Sequence, residues 1–454
     1  MAAVGVAYVA ALSGRLALTA IRRRALWQLD RAAASDPAAI RLGADFSGRP
    51  VTIPDRALAA HGLILGATGA GKSTTLVTIL AAQMARGRPV VAIDLKGSPR
   101  FAEQLAQAAT SAGRPFAVWS PDGPSYWNPL AVGNATELKD KLIGTERFTE
   151  PHYQRAAERY VQLAIQVMQE TGSGRPVTLA GVVAMLEPAR LASAARALPR
   201  DRGEYVRAYV AGLSPDQLSA VRGLASRLAI LTESHSGRYL EPPPAGAWPQ
   251  TIDLRSALNG PEVVLFSLNS STYGRTAAQL GTLAVQDLVA AAGQRLRQES
   301  APPAIVAIDE FSALGSDNVM ALLARGREAG VGVLLATQEL ADLDRAGHGL
   351  RDQVLGNTAV KIAHRQDVPE SAQTVARLAG QVKVWEQTYS RPEGLFAQGG
   401  TRSSARLVSR DAIEAEQVRS LRAGEAVVVV KSPEASARVA RVAARQPPAP
   451  GVTR

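Results

Sequence analysis

The chain contains no cysteine, which excludes a disulfide framework and any cysteine-ligated zinc site. Its five histidines are scattered without metal-ligand spacing, so His61 and His364 read as structural or solvated residues. Acidic residues are in deficit: 40 Asp and Glu against 51 Lys and Arg leave a formal charge of +11. That balance points to an acidic partner, nucleic acid or anionic lipid, and does not distinguish the two. A clean apolar run of the roughly 20 residues needed to span a bilayer is also missing. Ala2 to Ile21 is mostly apolar, but Arg15 interrupts it, Arg22-Arg23-Arg24 follows it, and it lacks the basic start of a signal peptide. Three readings of it stand: a weak anchor, an interfacial helix or a packed soluble helix. If it spans, the arginines place the rest of the chain in the cytoplasm. The remainder has the composition of a folded protein, 46% hydrophobic and 20% charged, and 454 residues can bury a large core in more than one domain.

What is present is a complete phosphate-binding loop, Gly66-Ala67-Thr68-Gly69-Ala70-Gly71-Lys72-Ser73-Thr74. Leu63-Ile64-Leu65 before it suits a buried strand, and Leu76 to Met84 after it suits a helix. In that context the glycines let successive N–H groups converge on phosphate oxygens, at the positive end of the helix. Lys72 is expected to meet the β- and γ-phosphates of ATP, and Ser73 to place its hydroxyl on Mg²⁺. Much later, Ala304-Ile305-Val306-Ala307-Ile308 runs into Asp309-Glu310. A carboxylate at the end of a buried strand can join the Mg²⁺ shell, and the one beside it can act as the base on the attacking water. A chain that only binds ATP needs Asp309; one that hydrolyses it also needs Glu310. A third strand, Gly330 to Thr337, ends at Gln338, whose amide can sense the γ-phosphate or its water. Arg325 and Arg327 precede that strand, and either can serve as an arginine acting on a neighbouring subunit's site.

The order of elements predicts an α/β fold. Ile40 to Ile53 reads as a hairpin around Ser47-Gly48. Val90 to Asp94, a helix near Phe101 to Ala112, and Phe116 to Trp119 alternate as parallel strands with crossover helices. From Asn134 to Tyr239 strand signals are sparse, and Tyr153 to Met168 and Leu218 to Thr232 have helical periodicity. Glu241-Pro242-Pro243-Pro244 marks the exit from this all-α insertion. A strand is expected over Ala359 to His364, a helix over Pro369 to Ala379, and β segments over Val382 to Tyr389 and Ala405 to Val408, flanking a Gly-rich loop. Ala426 to Val430 reads as the last strand. The divisions are residues 1–39 (apolar and basic helix), 40–133 (first part of the nucleotide-binding domain), 134–240 (insertion), 241–445 (second part) and 446–454 (a disordered Pro-containing tail).

Several motifs together carry a family resemblance: the P-loop, Asp94-Leu95-Lys96-Gly97, Tyr126-Trp127-Asn128-Pro129-Leu130, Asp309-Glu310-Phe311-Ser312-Ala313-Leu314-Gly315, Arg327-Glu328-Ala329-Gly330, Thr337-Gln338 and Leu355-Gly356-Asn357. From about Ile40 to about Lys431 the chain resembles the type IV secretion coupling proteins of the TraD/TraG class, within the FtsK/HerA-like superfamily of P-loop motors. The resemblance implies a RecA-like P-loop NTPase with a mostly parallel twisted sheet, interrupted by the all-α insertion. It implies an ATPase that moves DNA as a ring, usually a hexamer, at the cytoplasmic face of the cell membrane. Its partners would be a relaxosome or relaxase-type cargo and the channel proteins. Lys72 and Ser73 match its Walker A pair, Asp309 and Glu310 its Walker B pair, and Gln338 its sensor; Arg327 falls where an arginine finger is expected, with Arg325 close by. Two other readings are a chromosome-handling or repair translocase of the FtsK/HerA type, and a non-catalytic receptor that uses ATP as a structural ligand. The two clear transmembrane helices frequent in the family are not evident here.

Overall fold

The computed structural model describes residues 38–443, apart from 147, 149, 247–248, 299–300, 391–401 and 433. The apolar stretch 2–21, the Gly-rich loop and the tail 446–454 lie outside the described residues. Strands β1 (Ala39–Ala44) and β2 (Pro50–Pro54) come first. They are followed by β3 (Gly62–Leu65), β4 (Val90–Asp94), β5 (Phe116–Trp119), β6 (Val263–Ser267), β7 (Ala304–Asp309) and β8 (Val331–Thr337). The remaining strands are β9 (Val360–Ala363), β10 (Gln381–Ser390), β11 (Arg402–Asp411), β12 (Glu425–Val430) and β13 (Ser436–Val442). The chain divides into two compact units, one of residues 59–65 and 79–358, the other of residues 38–58, 66–78 and 359–443 within the described part.

The first unit holds a parallel sheet in the order β3-β8-β7-β4-β6-β5. Its strands are almost wholly apolar and buried, as expected where helices cover both faces. The register sets Asp94 of β4 opposite Asp309 of β7, and Asp309 opposite Ala336 of β8. Three carboxyl-terminal strand ends therefore lie side by side, the usual place for a ligand in a parallel α/β sheet. The expected α/β fold with parallel strands is present.

Between β5 and β6 the chain is helical, as its periodicity predicts. Asn134 and Glu137 form a reciprocal capping box that starts the helix Ala135–Ile143. Pro151 opens the helix Pro151–Thr171, two residues before the apolar pattern begins, because proline suits a first helical turn. Ala157, Tyr160, Val161 and Ala164 form its buried stripe. The helix Pro215–Thr232 buries Ala220, Val221, Leu224, Leu228 and Leu231 in the same way.

The insertion is tied to the long helix Ser270–Arg295 by a buried ion pair. Lys141 Nζ donates to Asp287 Oδ1 at 2.6 Å and to the Pro129 carbonyl at 2.8 Å, while Trp127 Nε1 donates to Asp287 Oδ2 at 3.0 Å. Both charges are shielded from water, so removing one strands the other. Asp287→Ala is expected to destabilise this unit by about 3–5 kcal/mol, read as a drop in the urea-unfolding midpoint, with Lys141→Met/Asp287→Leu recovering much of the loss.

The second unit is antiparallel, in the order β2-β1-β13-β12-β9, with a separate β10-β11 ribbon. The β1–β2 hairpin forms where expected: Asp45 Oδ1 accepts the Ser47 and Arg49 N–H groups, and Gly48 takes φ +75° at the turn. The helix Pro369–Ala379 and both ribbon segments also form as expected. One expectation is corrected: Ala426 to Val430 is not the last strand, because β13 pairs with both β12 and β1. Among the described residues, no helix is long and apolar enough to cross a membrane.

Candidate functional site

The P-loop follows β3 directly and leads into the helix Lys72–Ala85. Gly69 and Gly71 adopt φ of +78° and +118°, conformations that side-chain-bearing residues avoid, which lets the loop backbone curl before the helix begins. Lys72 is buried, and Ser73 at the helix start is exposed. The loop is seated on residues from the end of the chain. Gly424 N–H donates to the Ala70 carbonyl at 2.9 Å, and a Cβ on Gly71 would lie 3.1 Å from the His364 ring and 3.2 Å from the Gly424 backbone.

His364, fully buried, is central to that seat. Its Nδ1 lies 2.9 Å from the Glu425 carbonyl and its Nε2 lies 2.9 Å from Thr75 Oγ1. A carbonyl can only accept, so Nδ1 carries the proton and Nε2 accepts from the Thr75 hydroxyl. Burial, opposed by the Glu425 carbonyl and helped by the nearby Lys72 charge, lowers its pKa to about 4. In the other unit, His61 is held in the same manner. Its Nε2 donates to the Leu323 carbonyl, its Nδ1 accepts the Val333 N–H, and its pKa falls to about 4, chiefly by burial. Both histidines are structural rather than solvated, one of the two readings their sequence context allowed.

The pH dependence follows from these two shifts. A histidine held neutral in the fold gains its proton first in the unfolded chain, so stability is complete above about 6.5 and is lost as pH falls toward 4. Each should cost about 2 kcal/mol at pH ~5. The urea midpoints of both units should therefore fall between neutral pH and pH ~5; flat profiles would reject the neutral assignment.

Within the unit of residues 59–65 and 79–358, an acidic cluster stands at the ends of the neighbouring strands β7 and β8. Asp309 ends β7 and is buried, and Glu310 follows in the left-handed region at φ +58°. Asp309 Oδ1 accepts the Glu310 N–H at 3.0 Å. The Glu310 carboxylate is gathered by two donors on one oxygen: Lys96 Nζ at 2.6 Å and Gln338 Nε2 at 3.3 Å from Oε1. The structure thus brings Glu310 and Gln338 into contact. It also adds Lys96, for which the sequence offers no role. Asp94, at the end of β4, is buried; burial raises its pKa, opposed by backbone N–H groups of Ser98, Lys96 and Gly97.

Arg325 and Arg327 do not join this cluster. Both are exposed near the end of the helix Ser316–Glu328, which leads through Gly330 into the start of β8. The Gly330 carbonyl accepts from Ala304 N–H at the start of β7, so these arginines lie at the opposite end of the sheet from Asp309 and Gln338. In the insertion, Arg227 Nε lies 2.7 Å from Glu146 Oε2, while Arg222 is exposed. A more basic feature, invisible in the linear sequence, is a cleft of about 350 Å³ in the insertion, lined by Lys139, Arg155, Arg159, Arg202 and Tyr205 among others.

Residues 303–423 match the family model described as the TraM recognition site of TraD and TraG, and residues 18–98 match the FtsK/SpoIIIE family. The bacterial conjugative coupling protein TrwBdeltaN70 superposes with a TM-score of 0.65, covering 93% of each chain at 15% identity. The plasmid coupling protein TrwB in complex with ADP and Mg²⁺ does so at 0.63, over 92% of each chain at 16% identity. VirB4 of Thermoanaerobacter pseudethanolicus follows at 0.58, over 90% of this chain and 98% of that one at 14% identity. No curated protein sequence matches the chain. The likenesses establish the RecA-like P-loop fold.

Proposed function

We propose that the chain is an ATP-driven motor that moves DNA and couples a DNA or DNA–protein substrate to a type IV secretion channel in conjugation. The observation that carries this reading is the Glu310–Gln338 contact at the ends of β7 and β8, in a chain with a complete P-loop. A protein that merely holds ATP has no need of a base tied to a sensor amide, and the non-catalytic receptor is disfavoured for that reason. The match of residues 303–423 to the TraD and TraG model favours conjugation over a chromosome-handling translocase, to which the match of residues 18–98 lends support.

The roles follow from the chemistry of each group. The backbone of Gly66, Ala67, Thr68, Gly69, Ala70, Gly71 and Thr74 cradles the ATP phosphates, and Lys72 neutralises the β- and γ-phosphates. Ser73 and Asp309 are the residues that would hold Mg²⁺, which would supply positive charge to offset that of the phosphates. The exposed Ser73 hydroxyl and the strand-end carboxylate of Asp309 are hard oxygen donors that suit this ion. Glu310 takes the proton of the attacking water, and Gln338 links its position to β8. Arg327, or Arg325, completes a neighbouring subunit's site in a homo-hexamer. The motor works at the cytoplasmic face of the bacterial membrane, with the insertion meeting relaxosome or relaxase-type cargo.

The test is ATP turnover with and without DNA. A motor that moves along any sequence grips phosphates rather than base edges. Stimulation should be nearly independent of DNA sequence, and affinity should fall on the order of 10³-fold between about 50 and 200 mM salt for about six phosphate contacts. Turnover indifferent to DNA, or a shallow salt slope, would reject DNA as the moving substrate.

A further inference from the structure

The turn Asp94-Leu95-Lys96-Gly97 has no part in the roles above, yet several independent bonds fix its shape. Asp94 Oδ1 accepts the Lys96 N–H at 2.9 Å, and Oδ2 accepts the Ser98 N–H at 2.7 Å. The carbonyls of Asp94 and Leu95 accept N–H groups of Leu268 and Ser270, which tie the turn to the segment after β6. Gly97 sits at φ +66°, where a Cβ would come within 2.6 Å of the Asn269 nitrogen, so no larger residue fits. This backbone cannot shift without breaking those contacts. From it, Lys96 extends to the end of the adjacent strand β7 and places Nζ 2.6 Å from Glu310 Oε1. Gln338, from the far side of β7, reaches the same oxygen. Burial works against the Lys96 charge, but the Glu310 hydrogen bond and the Glu310, Asp309 and Asp94 charges raise its pKa, so it stays an ammonium at neutral pH.

A glutamate carboxylate turns freely about its last bond unless donors select an orientation. Two donors on one oxygen, from opposite neighbouring strands, make that selection. We infer that Lys96 is a positioning residue for ATP hydrolysis: with Gln338 it pins Oε1 of Glu310 and so holds the carboxylate in the orientation from which it takes the proton of the attacking water. This inference rests on the assignment of Glu310 as the base.

The experiment is a double-mutant cycle on the full chain, comparing Lys96→Met, Glu310→Gln and their combination, with Lys96→Arg as the conservative variant. Lys96→Met should lower kcat by roughly 10²-fold, the cost of a misplaced reacting group, with KM for ATP and the Kd of a fluorescent ATP analogue nearly unchanged. Lys96→Arg keeps the charge and should retain most of kcat. The combined variant should be no slower than Glu310→Gln alone, because a residue acting through Glu310 has nothing to act on once the base is gone. A further multiplicative loss in the combined variant would mean that Lys96 serves the phosphates directly, and would overturn the inference. An unchanged or increased kcat in Lys96→Met would overturn it too. Wild-type turnover measured against Lys72→Ala reports on the ATPase reading separately: with no difference between those two, both readings fall, whereas normal wild-type turnover with an indifferent Lys96→Met removes only this one.

Discussion

Glu310→Gln is expected to bind ATP normally and to stall its hydrolysis. The amide keeps the shape of the carboxylate and can still accept the Lys96 and Gln338 hydrogen bonds seen at Oε1, so the strand ends should remain in place. What it loses is the ability to take a proton. General-base catalysis is worth roughly 10²–10⁴ in rate, and kcat should fall within that range. Lys72→Ala should act at an earlier stage, weakening ATP binding or abolishing turnover, because the cation opposite the β- and γ-phosphates is removed. Nucleotide affinity and steady-state phosphate release, measured on the two variants side by side, separate these outcomes. Normal turnover in Glu310→Gln would reject the assigned base.

The arginine at the far end of the sheet should show an effect of comparable or greater size. Arg327 precedes β8 and Gln338 follows it, with Val331–Thr337 between them, so roughly 20 Å of extended chain separates Arg327 from its own catalytic cluster. An arginine so placed cannot reach Glu310 of its own chain, so the proposed role for it is on a neighbouring copy. Arg327→Ala is therefore expected to keep ATP binding and to lose about 10³ to 10⁵ in turnover, the worth of a finger in comparable NTPases. Arg325→Ala run in parallel decides between the two exposed residues. Mixing Arg327→Ala with Glu310→Gln subunits should restore activity at interfaces that combine one intact residue from each. Subunits shown to co-assemble without any rescue would exclude a role across the interface.

The nucleotide-binding loop was readable because its chemistry is local. Successive N–H groups, two positive-φ glycines and a lysine at a helix start are all specified within nine residues, Gly66 to Thr74. The strands β3, β4, β7 and β8 were readable because burial on both faces demands unbroken apolar runs. The insertion helices Pro151–Thr171 and Pro215–Thr232 were readable because an apolar stripe at helical spacing has no other economical use. Strand β13 was missed because Ser436 to Val442 mixes small, charged and half-exposed residues, and it becomes a strand only where the buried β12 and the hairpin strand β1 offer it ladder partners.

By itself, then, the sequence determined the P-loop turn between strand and helix, the acidic strand end, the succession of sheet and helices, and the all-α character of the insertion, since each rests on residues near one another along the chain. Tertiary structure alone decided that Lys96 meets Glu310, that His364 supports the P-loop as a neutral imidazole, and that Lys141, Asp287 and Trp127 share one buried cluster. These pairs come from segments brought together by strand order and helix packing, and a linear pattern carries no distance between residues so far apart in the chain. The energy of each contact depends on that distance and on the exclusion of water, which exist only once the chain has folded.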